Sequence, residues 1–205
     1  LYPIEYHCNM LTHGEGHYIE LPSPFNTNNL DIIINNQIST KYKKREESID
    51  SIIEAIENLT SSHSGNYIVF FPSYQYLNMI VDRIVEPNYE MIVQKSGITD
   101  LERNEIINKF KTTTNNKVGF FVMGGVFSEG IDFIGDALNG VIIVGVGLPL
   151  FCDENNIVKD YFDLEYQKGF EYAYIYPGFT KVIQAVGRVI RSNTDRGVAI
   201  LMDER

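Results

Sequence analysis

Five short apolar runs, at 67–71, 90–93, 118–123, 141–144 and 198–202, are separated for the most part by segments whose apolar residues recur every three to four positions. No other feature limits the fold as strongly. Runs this short, rich in Val, Ile and Phe, read as strands, and apolarity that is continuous rather than alternating marks strands covered on both faces. The segments between them read as helices: Ile49, Ile52, Ile53, Ile56 and Leu59; then Leu77, Ile80, Val81 and Ile84; then Leu101, Ile106, Ile107 and Phe110. This repetition predicts an α/β fold of three layers, a mainly parallel β-sheet flanked by helices.

Local signals place the boundaries. Thr99 followed by Glu102 reads as a capping box opening the helix that carries Leu101, and Ser73 after Pro72 reads as the cap that ends the 67–71 strand. The segment 153–176 is expected to form one or two helices before a turn at Pro177 and Gly178. Residues 1–26, broken by Gly14, Gly16, Pro22 and Pro24, are expected to be a connecting segment with an opening strand, and 27–205 a single domain. A chain of 205 residues that is 44% hydrophobic suffices for one packed core.

Composition excludes several classes of function. The longest apolar stretch, 140–150, is too short to cross a bilayer as a helix, so no membrane partner is expected. The chain has no initiator Met and no basic region ahead of an apolar run, which predicts a cytoplasmic piece of something larger. Its Ile- and Asn-rich composition points to a bacterium with an AT-rich genome. Two distant cysteines, Cys8 and Cys152, build neither a disulfide framework nor an iron–sulfur site. A net charge of −10 argues against broad adhesion to nucleic acid, so any such contact must be local. The cluster Lys41, Lys43, Lys44 and Arg45, just ahead of the first helix, can meet a phosphate backbone; the alternative is a solvated charge run.

Two motifs carry chemistry. Gln184, Gly187, Arg188 and Arg191 precede Asp195, Gly197 and the closing strand. On a helix, positions 184, 188 and 191 share a face, so an amide and two guanidiniums would project together toward an anion. A planar, always-charged guanidinium suits phosphate oxygens and the charge of phosphoryl transfer. The bland alternative is a pair of surface arginines. The second motif, Gly124, Gly125, Ser128, Glu129, Gly130 and Asp132, follows the 118–123 strand, where glycines and small residues let backbone approach a ligand. A plain turn is its alternative. The Gly-Lys pair of a phosphate-binding loop occurs nowhere in the chain, so ATP cannot be held here alone. Asp153 and Glu154 stand in the wrong order for the acidic motif that positions Mg2+. The glycines at 145 and 147 lack the third glycine of a dinucleotide-binding turn.

Together these residues resemble motifs VI and V of superfamily 2 helicases in their DinG/XPD form. The 67–74 stretch resembles motif IV, while 21–25 and 40–45 resemble the approach to the second motor domain. The resemblance runs from about Gly16 to Arg205 and implies the second RecA-like motor domain of an ATP-dependent 5′–3′ DNA helicase. It implies that Arg188, Arg191 and Gln184 are catalytic, and that Asp132, Gly130, Glu129 and Gly187 face ATP. Ser73, Tyr74, Ser128, Lys44 and Arg45 would contact single-stranded DNA. ATP and Mg2+ would be held mainly by an N-terminal RecA-like domain of the same polypeptide, where any iron–sulfur cluster would also lie. The isolated chain is then expected to be inactive. A non-catalytic domain that binds single-stranded nucleic acid, or a regulatory one, stays open as the alternative.

Overall fold

The computed structural model describes residues 3–111, 116–127, 133 and 137–205. Six strands form one sheet: β1 (Leu30–Asn35), β2 (Asn66–Phe71), β3 (Glu90–Val93), β4 (Lys117–Val122), β5 (Gly140–Val144) and β6 (Gly197–Met202). Their spatial order is β1-β6-β5-β2-β4-β3, and every pairing is parallel. Among the described residues six α-helices accompany them: α1 (Ile4–Thr12), α2 (Arg45–Ser62), α3 (Tyr74–Val81), α4 (Asp100–Lys111), α5 (Asp153–Tyr166) and α6 (Tyr176–Val186). This is the three-layer α/β architecture that the apolar pattern predicts.

Strand β2 shows why that pattern was continuous. Ile68 and Phe70 enter one core with Phe110 of α4 and with Val182 and Ala185 of α6; Tyr67, Val69 and Phe71 enter the other with Ile49, Ile52 and Ile56 of α2 and Leu77 and Ile80 of α3. Both faces of the strand are therefore dry. The capping box at α4 forms in both directions, with Thr99 N–H donating to a Glu102 carboxylate oxygen at 2.8 Å and Glu102 N–H donating to Thr99 Oγ1 at 3.3 Å.

Three local expectations are corrected. Residues 3–26 hold no strand; the opening strand is β1, paired with β6 from Leu30 opposite Gly197 to Asn35 opposite Met202. At the sheet edge its Ile32, Ile33 and Ile34 stay more than half exposed, so they leave no alternation to read. Within 3–26 a helix forms despite the nearby breakers, because Tyr6 of α1 packs against the rings of Tyr172 and Tyr176, each 5.2 Å away. Pro177 and Gly178 do not make a turn. They lie at the start of α6, which continues directly from a wide helical turn at Glu171–Ile175 where Tyr176 N–H donates to Glu171 O, so the donor that Pro177 lacks is absorbed where the hydrogen-bond pattern changes. A side-chain carbon at Gly178 would meet the Val146 carbonyl oxygen at 2.8 Å, so the missing Cβ is what lets α6 lie on the β5 exit.

Candidate functional site: two edges of one sheet

All strands run the same way, so the sheet has one edge of strand ends and one of strand starts. Six-residue strands keep these edges about 20 Å apart. Ligands of open α/β sheets gather beyond the strand ends, near the point where strand order reverses. Here that point lies between β2 and β5.

At the end of β2, Ser73 caps α3, its Oγ accepting from Tyr76 N–H at 3.3 Å. The same Oγ accepts from Arg45 Nη1 at 3.4 Å. The Arg45 guanidinium lies over the ring of Tyr76 at 4.7 Å and over that of Tyr42 at 5.2 Å. Burial lowers the Arg45 pKa and the nearby Arg205 adds to this, while the two tyrosines oppose it. The guanidinium nonetheless remains charged at any ordinary pH. The 41–45 cluster is thus divided. Arg45 is half-buried and fixed, Lys41 pairs with Glu204 at 2.7 Å, and Lys43 and Lys44 stand exposed.

Beneath Arg45 lies a lock that the sequence did not announce. Asp203, buried just past β6, accepts from Arg205 Nε at 2.8 Å and Nη2 at 3.0 Å and from the hydroxyl of buried Thr40. Burial pushes the Asp203 pKa up, but these donors outweigh it and hold the carboxyl below its ordinary 3.8. The lock joins the end of β6 to the residues leading into α2, and so holds the backbone that presents Arg45.

At the end of β4, Gly124 adopts φ +71°. A side-chain carbon there would meet Cε of Lys181 at 3.5 Å and Nζ at 3.6 Å, so an ammonium from α6 hangs over this turn. Tyr74 reaches the same turn through Gln94, whose Nε2 donates to the Tyr74 hydroxyl at 2.9 Å. Neither Lys181 nor Gln94 carries a motif signal; only the fold shows where they stand. Ser128, Glu129, Gly130 and Asp132 lie outside the described residues. On either side of them, Phe127 stacks on Phe121 at 4.2 Å and Phe133 meets Phe110 edge-on at 5.4 Å.

The arginine motif lies at the opposite edge. Helix α6 ends at Val186, before either arginine, so the shared helical face expected for 184, 188 and 191 does not exist. The chain tightens instead, with Arg188 N–H donating to Ala185 O at 3.3 Å and Val189 N–H to Val186 O at 3.1 Å. It then turns down toward β6, where a side-chain carbon at Gly197 would lie 2.3 Å from Val189. Gln184 and Gly187 are exposed, Arg188 is only 4% exposed, and Arg191 is half-buried. The buried carboxylate of Asp195 accepts from the N–H of Arg191 at 2.7 Å, from the N–H of Ser192 at 2.9 Å and from the Ser192 hydroxyl. Asp195 therefore cinches the loop that presents Arg191.

Other candidate sites find structural roles. Asp153 and Glu154 occupy the first turn of α5, where the helix dipole favours acids. Gly145 and Gly147 pack against Thr40 and Met123, and no helix begins until Asp153, so the dinucleotide alternative lacks its helix N-terminus. Among the described residues no group of three His, Cys, Asp or Glu side chains is placed to hold a metal ion. No helix among them is long and apolar enough to cross a membrane.

Residues 56–205 match the model of the helicase C-terminal domain. The chain belongs to this family. A Methanocaldococcus jannaschii protein named "Probable ATP-dependent helicase" is 28% identical over 92% of this chain and 31% of its own length. The "3'-5' exonuclease DinG" of Staphylococcus aureus is 28% identical over 82% of this chain and 18% of its own length. The chain thus spans a third or less of these relatives. A solved XPD helicase matches the fold with TM-score 0.72 at 22% identity, over 86% of this chain and 32% of that one. The fold is the RecA-like one, and the family is that of helicase C-terminal domains, with a probable ATP-dependent helicase and DinG among its relatives.

Proposed function

We propose that this domain is the second wall of an ATP-driven DNA helicase motor, closing on ATP and Mg2+ held by an N-terminal RecA-like domain of the same polypeptide. The observation that carries this reading is the Arg191 loop, cinched by a buried carboxylate beside the nearly enclosed Arg188. Fixing the backbone at Arg191 sets the point from which its guanidinium is presented, which suits a group that must meet phosphate oxygens when a cleft closes. Arg188 sets the packing behind it, while Gln184 and Gly187 line the exposed approach. Asp132, Gly130 and Glu129 complete the nucleotide side.

Single-stranded DNA crosses the other edge. Ser73, Tyr74, Arg45, Lys44 and Ser128 contact its backbone, and movement runs 5′ to 3′, as the family resemblance implies. With a net charge of −10, this domain holds DNA through that local edge alone and therefore weakly. The domain by itself hydrolyses no ATP, because its sequence carries no phosphate-binding loop. Loss of the γ-phosphate on hydrolysis removes what the arginines grip, and the cleft reopens.

The test is ATP hydrolysis by the helicase polypeptide that carries this domain, with and without single-stranded DNA, alongside its Arg191→Ala variant. Hydrolysis should rise with DNA and fall on the order of 10³-fold in the variant while nucleotide binding is largely kept. A variant within a few-fold of the parent removes the arginine from catalysis and leaves a binding or regulatory domain.

A further inference from the structure

The proposed DNA edge and the proposed ATP edge lie at opposite ends of the sheet, and the connection between β4 and β5 carries the chain from one to the other. One buried side chain ties the root of this connection to the end of β2. Gln94, one residue past β3, is 3% exposed. Its Oε1 accepts from the Val122 N–H at 2.8 Å, its Nε2 donates to the Tyr74 hydroxyl at 2.9 Å, and its own N–H donates to Phe120 O at 3.0 Å. A side-chain carbon at Gly125 would stand 3.2 Å from Nε2 and 3.1 Å from Val122 O, so the glycine turn is seated on this amide. From the other side, Arg103 Nε donates to Val126 O at 3.0 Å.

We propose that Gln94 is a positioning residue that joins Tyr74 to the β4 exit, so that strand contact at Tyr74 is passed to the connection leading to the ATP edge. The proposal rests on the helicase reading above. The chemistry favours an amide here. One end must accept from a backbone N–H and the other must donate to a phenol, with the amide buried; an apolar side chain does neither. Because the phenol is held from behind, a shift of its ring on meeting DNA must move the Val122–Gly125 backbone or break a buried bond.

The experiment uses the full helicase polypeptide with Gln94→Met, Tyr74→Phe and the double variant. Single-strand affinity, hydrolysis without DNA, hydrolysis at saturating DNA and melting temperature are all measured. Gln94→Met should lower the DNA-stimulated turnover about tenfold while unstimulated turnover and DNA affinity stay within about threefold. Tyr74→Phe, which removes only the hydroxyl, should lower stimulation in the same direction, and the double variant should be no worse than Gln94→Met. Gln94→Glu should restore most of the stimulation, since a carboxylate still accepts from Val122 N–H and from the phenol turned donor.

Undiminished stimulation in Gln94→Met, or additive losses in the double variant, overturns the proposal. Stimulated and unstimulated turnover falling together with melting temperature also overturns it and leaves Gln94 as a packing amide; should Gln94→Met not fold, Tyr74→Phe against Gln94→Glu carries the same comparison. If the parent shows no DNA stimulation at all, the failure belongs to the helicase reading itself.

Discussion

Arg45 and Arg191 stand at opposite ends of the same parallel sheet and are held by opposite means. Arg45 is clamped through its side chain: two tyrosine rings take its faces and a serine takes one Nη. Arg191 is held through its backbone, which Asp195 grips. A guanidinium clamped on rings is pre-oriented and little able to move, which suits a surface that a polymer slides across. One whose N–H is gripped by a buried carboxylate is placed through its main chain, which suits a group that engages when a neighbouring domain closes. Precision thus resides in the side chain at one edge and in the main chain at the other.

The sharpest way to break this contrast is Asp195→Ala. It leaves Arg191 in place but strips the carboxylate from two backbone N–H groups, so hydrolysis by the helicase polypeptide should fall on the order of 10²-fold. Stability of this domain should fall by about 2–3 kcal/mol in urea unfolding. Unaltered hydrolysis would mean that backbone anchoring is not what aims Arg191.

A smaller effect is expected at the other edge. Asp203→Asn keeps the shape of the lock but not its charge, and should cost about 1.5–3 kcal/mol near neutral pH together with a several-fold loss of single-strand affinity. Because the folded carboxyl titrates below its ordinary 3.8, its contribution is fully present above that value and is lost as pH falls through the lower folded value. The stability gap between parent and variant should therefore be constant above pH 3.8 and close below it, as urea titrations across that range would show. A gap that persists in acid would mean that packing, not charge, sustains the lock.

Arg45→Lys should give the smallest effect. The charge remains, but the ring stacking and the fork toward Ser73 go, so single-strand affinity by fluorescence anisotropy should weaken about two- to fivefold. The salt dependence should keep its slope, since the same number of phosphates is neutralised. A shallower slope would show that the lysine no longer reaches the phosphate.

Much of this was legible from residues alone, for reasons that differ by element. Strand β2 and helix α2 were readable because burial on two faces, or on one, imposes a period on the sequence. The capping box at Thr99 and Glu102 was readable because it involves only local backbone. Strand β1 escaped because an edge strand with exposed isoleucines has no period to show. The helix expected through Arg188 and Arg191 also failed: the spacing of Gln184 and the two arginines suited one helical face, yet Asp195, four residues beyond Arg191, captured the N–H groups a continuing helix would have used. Gln94 and Lys181 were invisible because a lone amide or ammonium gains meaning only from what is brought beside it.

What the sequence by itself determined is the layered α/β class, the two motif segments, the family they resemble, and the lack of a phosphate-binding loop. These follow from periodicity and from short spacings. Only the tertiary structure decided that the arginine loop and the Ser73–Arg45 corner occupy opposite edges of the sheet. It alone decided that Arg188 is enclosed while Gln184 is not, and that Asp203, Thr40 and Gln94 hold the elements between. The physical reason is range: propensity and capping act within a few residues, whereas the Gln94 amide and the Asp203 carboxylate also take partners 20 to 163 positions away, which only the packed sheet brings within 3 Å.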